Sequence, residues 1–208
     1  MTGLAHHLGE LLFPRACAGC AAPGYLLCPT CKKRLATPPF QHTPNLSVHV
    51  PVFALGTYDT PHRGVILAMK EKKNLAVRRH IGAVLAAALD HLEARGDIIP
   101  GAHLIPAPTR PSAARARGGD PVSAVCHASG RPTHDVFSLL DATPDQASLD
   151  ESARRRNLSG NVQLSAVPQG PLIVVDDVVT TGATLQAGVE KLFAHGGIPV
   201  ACVVLAAA

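Results

Sequence analysis

Residues 171–193 read PLIVVDDVVTTGATLQAGVEKLF, and this stretch decides the fold. Leu172-Ile173-Val174-Val175 is apolar at every position. That is the pattern of a strand covered on both faces, as in a parallel sheet flanked by helices. Asp176 and Asp177 follow, where the strand is expected to end. After Val178 and Val179 comes Thr180-Thr181-Gly182-Ala183-Thr184, small and hydroxyl-rich. A helical pattern then starts, with Leu185, Val189, Leu192 and Phe193 on one face.

This order of parts has a chemical meaning. The first N–H groups of a helix have no partner within it, and the helix dipole favours an anion there. Gly182 lets the backbone come close, and the threonine hydroxyls add donors for phosphate oxygens. The carboxylates just upstream are acceptors, suited to sugar hydroxyls or a hydrated Mg²⁺. Phosphate at the turn and ribose at the acids describe a sugar phosphate. Taken singly, an acidic pair is often a solvated loop and Thr-Thr-Gly often a capped turn. Their joint order and spacing favours the phosphate site.

The segment IVVDDVVTTGAT resembles the phosphoribosyl pyrophosphate (PRPP) motif of type I phosphoribosyltransferases: an apolar strand, paired acids and a T-T-G-A/x-T loop. The resemblance implies an α/β fold, a type I phosphoribosyltransferase-like parallel sheet flanked by helices. It also implies PRPP binding by Asp176, Asp177, Thr180, Thr181, Gly182, Ala183 and Thr184.

The chain has 208 residues, enough for one core domain and a small appendage. Hydrophobic residues make up 47%, whereas aromatics are 3% and Trp is absent, so the core must be built from Ala, Val and Leu. A net charge of +4 suits phosphate-rich ligands but is too weak to imply nucleic acid. No apolar stretch approaches a membrane span and the N-terminus lacks a signal-peptide layout, so a cytoplasmic protein is expected.

Toward the N-terminus, Leu4, Leu8, Leu11 and Leu12 suggest a short amphipathic helix stopping at Pro14. Two CxxC pairs follow, Cys17/Cys20 and Cys28/Cys31. Without signs of secretion, thiolate ligation is favoured over disulfides. Four soft donors suit a tetrahedral Zn²⁺ with a structural role, and Gly19 and Gly24 permit the tight turns of such knuckles. An Fe–S cluster or a redox dithiol is the competing reading. Cys126 and Cys202 lie among apolar or small residues and read as ordinary buried side chains. Residues 1–36 thus form a zinc-ribbon-like four-cysteine module, and the proline-rich stretch 37–51 a linker carrying His42 and His49 as solvated residues.

From residue 52 to 208 strands and helices alternate, which argues for an α/β parallel sheet. A strand is expected at 52–55, a short helix at 62–69 ending near Lys70, and a long helix at about 77–92. The long helix presents Ile81, Val84, Leu85, Ala88 and Leu92 on one face. Between the helices, Lys70, Lys72 and Lys73 form a charged turn. A strand at 103–108 precedes residues 109–120, where Arg110, Arg115 and Arg117 among small residues read as a mobile basic loop, able to close over pyrophosphate or simply exposed. A helix at 121–128, a strand around 134–140, a basic helical turn at 146–157 and a last buried strand at 199–205 complete the body.

A four-cysteine module ahead of a PRPP motif resembles the ComF family of competence-associated, phosphoribosyltransferase-like proteins. LFPRACAGC resembles the family's start, and Met69-Lys70 sits where the family has a Lys after an apolar helix. IPAPTRPSAARARGG resembles its V-P-V-P…R…R-x-R-G segment, and Gln146, Leu149, Arg154 and Asn157 match Q-x-x-L-x4-R-x-x-N. Two departures stand out: a third cysteine pair common in the family is absent, and Arg117-Gly118-Gly119-Asp120 replaces the usual R-G-F-N.

The resemblance implies Mg²⁺-dependent phosphoribosyl transfer to an unassigned acceptor, a nucleobase or related amine. Asp176, Asp177 and Lys70 are then the catalytic candidates, with Lys70, Arg115 and Arg117 on the pyrophosphate side. The alternative is a non-catalytic accessory of DNA uptake, competence or recombination. It would bind single-stranded DNA, through residues such as Arg154–Arg156, or a helicase-type partner, through the cysteine module. An oligomer is compatible with either.

Overall fold

The computed structural model describes residues 15–71, 74–140 and 161–208. The leucines of the N-terminal segment, Lys72, Lys73 and the 146–157 turn lie outside the described residues. In chain order, helix α1 is Pro29–Leu35, strand β1 Phe40–His42 and strand β2 Val52–Ala54. Helices α2 (His62–Lys70) and α3 (Leu75–Arg95) follow, then β3 (His103–Pro106). Helices α4 (Pro111–Ala116) and α5 (Pro121–Ala128) lead to β4 (Phe137–Leu139) and β5 (Val162–Leu164). The chain ends with β6 (Pro171–Val179), helix α6 (Ala183–Ala194) and β7 (Ile198–Ala207).

The main sheet has the order β1-β2-β7-β6-β3, parallel throughout except for the antiparallel β1–β2 edge. Strands β4 and β5 form a separate antiparallel pair. The mixed α/β class with a predominantly parallel sheet is therefore as the sequence indicates. The unbroken apolar run of β6 has a direct cause. Ile173 and Val175 face a core shared with α2, α3 and α5, whereas Leu172 and Val174 face the core under α6. All four are at most 1% exposed, and β7 divides in the same way, Ala201 and Val203 against Cys202 and Val204. Cys126 and Cys202 are buried, as expected.

Several details depart from the sequence reading. Strand β6 does not stop at the acids: Asp176 aligns with Val204 and Val179 with Ala207, because β7 is long enough to carry the ladder onward. Phe193 is 47% exposed, on the outer side of α6. On α3, Leu89 is buried with Ile81, Leu85, Ala88 and Leu92, while Val84 is half-buried. Residues 37–51 contribute the edge strand β1, and the strand read at 134–140 is the short β4, paired with β5. The basic loop at 109–120 contains α4, in which Pro111 sits at the first position and the alanines favour helix; none of its residues is buried. Gly118 and Gly119 then adopt positive φ (69° and 106°), and Asp120 caps α5 by accepting from the Val122 and Ser123 N–H groups.

The cysteine-rich segment packs on the same side of the sheet as α2 and α3. Cys17, Leu27, Cys28, Cys31 and Leu35 belong to the same apolar core as Phe53, Val65 and Met69. The approach is close at Gly64 of α2, where a Cβ would collide with the Gly19 carbonyl oxygen and lie 2.6 Å from that of Ala18.

Candidate functional site

Adjacent residues of a strand point to opposite faces, and this separates the acidic pair. Asp177 lies on the face of Ile173 and Val175, toward α2. There it is 8% exposed, and its Oδ2 lies 2.6 Å from Nζ of Lys70, the last residue of α2. Asp176 faces the other way and lines a small hollow with residues 178–185. Burial, and next the charge of Asp177, push the Asp176 carboxyl up from 3.8 to about 8, against the opposing pull of the Asp177 N–H and Lys70. The Asp177 N–H donates to Asp176 Oδ1 at 2.8 Å. A carboxyl poised in this way can both donate to and accept from a sugar hydroxyl.

The loop after β6 is shaped by its glycine. Gly182 has φ 92° and caps α6, and its carbonyl accepts from the Gln186 N–H at 2.9 Å. A Cβ there would enter the left-handed region and lie 2.8 Å from Pro44 Cβ. The Thr181 carbonyl accepts from the Leu46 N–H at 2.9 Å, so the loop is braced by the segment between β1 and β2. Thr180, Thr181, Gly182, Ala183 and Thr184 wrap the hollow that Asp176 lines, at the N-terminus of a 12-residue helix. The hollow thus offers backbone N–H groups, hydroxyls and a carboxyl within one small volume.

Of the three cationic candidates, the structure brings Lys70 to Asp177. Arg115 is exposed on α4 and Arg117 half-buried just after it; among the described residues neither forms an ion pair. The sequence reading missed Arg78 on α3. Arg78 is 5% exposed, and its Nη2 donates to the Met69 carbonyl (3.3 Å) and to the Arg117 carbonyl (3.2 Å). Among the described residues its Nε has no partner, and burial draws its pKa down, opposed by the charge of Asp120. No periodicity marks it, since an arginine near the start of an amphipathic helix reads as solvent-facing.

The four cysteines form a second centre. All four Sγ atoms lie within 4.8 Å of one another, with Cys17, Cys28 and Cys31 buried and Cys20 exposed. Cys20 and Cys28 Sγ are 3.7 Å apart, close to the roughly 3.8 Å that two thiolates on a tetrahedral Zn²⁺ would adopt. Burial pushes the Cys17 thiol up, yet N–H groups of Cys28, Cys20 and Gly19 outweigh it and bring it to about 6. The Cys28 N–H lies 3.2 Å from Cys17 Sγ. Cys31 is driven the opposite way by burial and by the surrounding thiols. The donor set fits one thiophilic metal ion.

No family model matches the chain. Over 49 residues it is 45% identical to a transcriptional regulator, GfcR, of Methanospirillum hungatei, a match covering 24% of each chain, so the chain spans about a quarter of that relative's length. Among solved structures it is similar to a hypoxanthine phosphoribosyltransferase of Trypanosoma cruzi in a ternary substrate complex. The likeness covers 65% of this chain and 67% of that one, at 14% identity and a TM-score of 0.33. A likeness that loose leaves the fold to rest on the strand order itself. Among the described residues no helix is long and apolar enough to cross a membrane.

Proposed function

We propose that the chain binds PRPP and transfers its phosphoribosyl group to a nucleobase or related amine. The observation that carries this reading is the hollow at the end of β6, where the 180–184 loop, the N-terminus of α6 and the Asp176 carboxyl converge. The 5-phosphate would sit against the N–H groups and hydroxyls of Thr180, Thr181, Gly182, Ala183 and Thr184. Asp176 and Asp177 would receive the ribose hydroxyls, and could hold Mg²⁺ through its water shell. When bound, Mg²⁺ would neutralise charge on the pyrophosphate. As the C1–oxygen bond breaks, the sugar ring becomes positive and the departing pyrophosphate gains charge. Asp177 would stabilise the first and Lys70 the second. Their 2.6 Å ion pair would be exchanged on binding, Lys70 turning to the pyrophosphate and Asp177 to the ribose. Arg115 and Arg117 would reinforce the pyrophosphate end.

The cysteine cluster, in this reading, holds Zn²⁺ as a structural ion. The ComF-like pattern of a four-cysteine module followed by this loop supports a cytoplasmic setting. Calorimetric titration of PRPP with Mg²⁺ tests the site: saturable binding, lost in the Asp176→Ala/Asp177→Ala variant, is expected. A folded, metal-loaded wild type that does not bind PRPP overturns the reading. Pyrophosphate release on mixing with a panel of nucleobases and amines then tests transfer.

A second reading keeps the ligand and removes the turnover, and the relative described as a transcriptional regulator favours it. PRPP would then act as a signal in a protein that handles single-stranded DNA or a DNA-processing partner. PRPP-dependent, salt-sensitive binding to single-stranded DNA would support it; binding indifferent to salt would oppose it. Deleting residues 1–36 is a poor probe of partner capture, because Cys17, Leu27, Cys28, Cys31 and Leu35 are part of the body's own core.

A further inference from the structure

We infer that Arg78 is the positioning residue of the pyrophosphate end: one buried guanidinium fixes the end of α2 beside Lys70 and the turn at Arg117 in a single arrangement. The inference rests on the PRPP reading. A cationic residue only 5% exposed, with no carboxylate at ion-pairing distance among the described residues, is a costly group to bury. Neutral carbonyls offset only part of that cost. The two carbonyls that Arg78 holds, those of Met69 and Arg117, come from segments far apart in the chain. One precedes the lysine that meets Asp177; the other belongs to an arginine of the basic segment. A Cβ built on Gly119 would lie 3.8 Å from Nη1, so the glycine turn packs directly over the guanidinium.

Capping does not account for this placement, because Asn74 already caps α3 by accepting from the Val77 N–H. Nor is Arg78 needed to terminate α2, whose last turn is closed by the Glu71 N–H donating to the Leu67 carbonyl. What Arg78 adds is a bond between two cation-bearing segments that are distant in sequence. Its positive charge, and an Nε–H without a partner among the described residues, make that junction favourable to an anion. Arg78 touches neither acid and is not itself a catalytic residue.

The test compares ligands with and without pyrophosphate, at constant Mg²⁺. For Arg78→Met and Arg78→Lys, affinity for PRPP and for inorganic pyrophosphate should fall about tenfold or more. Affinity for ribose 5-phosphate should stay within about twofold, because the 180–184 loop is untouched. A residue that merely supports the fold would weaken all three ligands alike, and that outcome, or unchanged pyrophosphate affinity, overturns the inference. Should both variants unfold, hydrogen exchange on the wild type decides. Pyrophosphate should protect the amides of residues 69–71 and 117–119 together, with one half-saturation point, whereas ribose 5-phosphate should leave both unprotected. Protection of only one segment overturns the inference. A wild type that binds neither PRPP nor ribose 5-phosphate would instead refute the ligand reading itself.

Discussion

The two centres of this molecule differ in how far the chain completes them. In the cysteine cluster the four donors, Cys17 to Cys31, are close in sequence and already stand within 4.8 Å of one another. Local turns suffice to assemble it, as the bond from the Ala21 N–H to the Cys17 carbonyl shows. The site at the end of β6 is assembled from afar: Pro44 and Leu46 brace the loop around the hollow, and on the other face of the strand Lys70 arrives from α2 to meet Asp177. A closed set of soft ligands makes one structural bond. An open set of N–H groups, hydroxyls and a protonatable acid suits a charged partner that comes and goes. The first centre should therefore respond to perturbation by unfolding, the second by changing what it binds.

The sharpest way to break the contrast is at the metal. Cys31→Ser should lower bound zinc from about one ion per chain to near none, and hydrogen exchange over residues 16–36 should become fast. Retained zinc and protection would show that three thiols suffice. Next in size is the contact that joins the two centres. Gly64→Ala forces a Cβ into the Gly19 carbonyl and should lower unfolding stability by about 1–3 kcal/mol, read from the denaturant midpoint.

The open site should show itself through pH. Because folding raises the Asp176 carboxyl above its ordinary 3.8, the folded chain holds a proton there that the unfolded chain has released. Stability from that proton is present near pH 4 and lost as pH rises toward about 8. Asp176→Asn should therefore match the wild type in melting temperature near pH 4. Its melting temperature should exceed that of the wild type by a margin that grows as pH rises to 8. A constant difference across that range would remove the acid from this role. The smallest effect belongs to Arg34→Ala. Its 3.6 Å pair with Asp59 joins α1 to the body, but both side chains are more than half exposed. Stability should change by less than about 0.5 kcal/mol, the module being held by core packing and the Gly64 contact.

Much of this was legible in the chain because its signals are local. The run Leu172–Val175 announced a doubly covered strand, Leu185, Val189 and Leu192 a helix face, and paired CxxC spacing a ligand cluster. The features that escaped depend on distant partners. Strand β6 continues past Asp177 only because β7 reaches Ala207. Phe193 follows the helical period of its neighbours yet is 47% exposed. The 109–120 segment lacks large apolar residues and so resembles a loop, although Pro111 and its alanines make a helix that needs no core. Lys70 and Asp177 were each named from the chain, but their pairing is a long-range contact, and Arg78 carries no sequence signature at all. Sequence displayed the cradle and its lysine, whereas Arg78 emerged only from packing.

Helix α2 carries a consequence for how such a chain can change over generations. Its nine residues run about 13 Å, with Gly64 pressed on the cysteine knuckle near one end and Lys70 on Asp177 at the other. Inserting or deleting one residue between them would turn Lys70 by about 100° and shift it by about 1.5 Å, carrying its amine away from the acid. Side chains on this helix can drift, but its length cannot. Descendants should vary freely in the loops on either side while keeping the count from Gly64 to Lys70 unchanged, so that the helix serves as a ruler inherited whole.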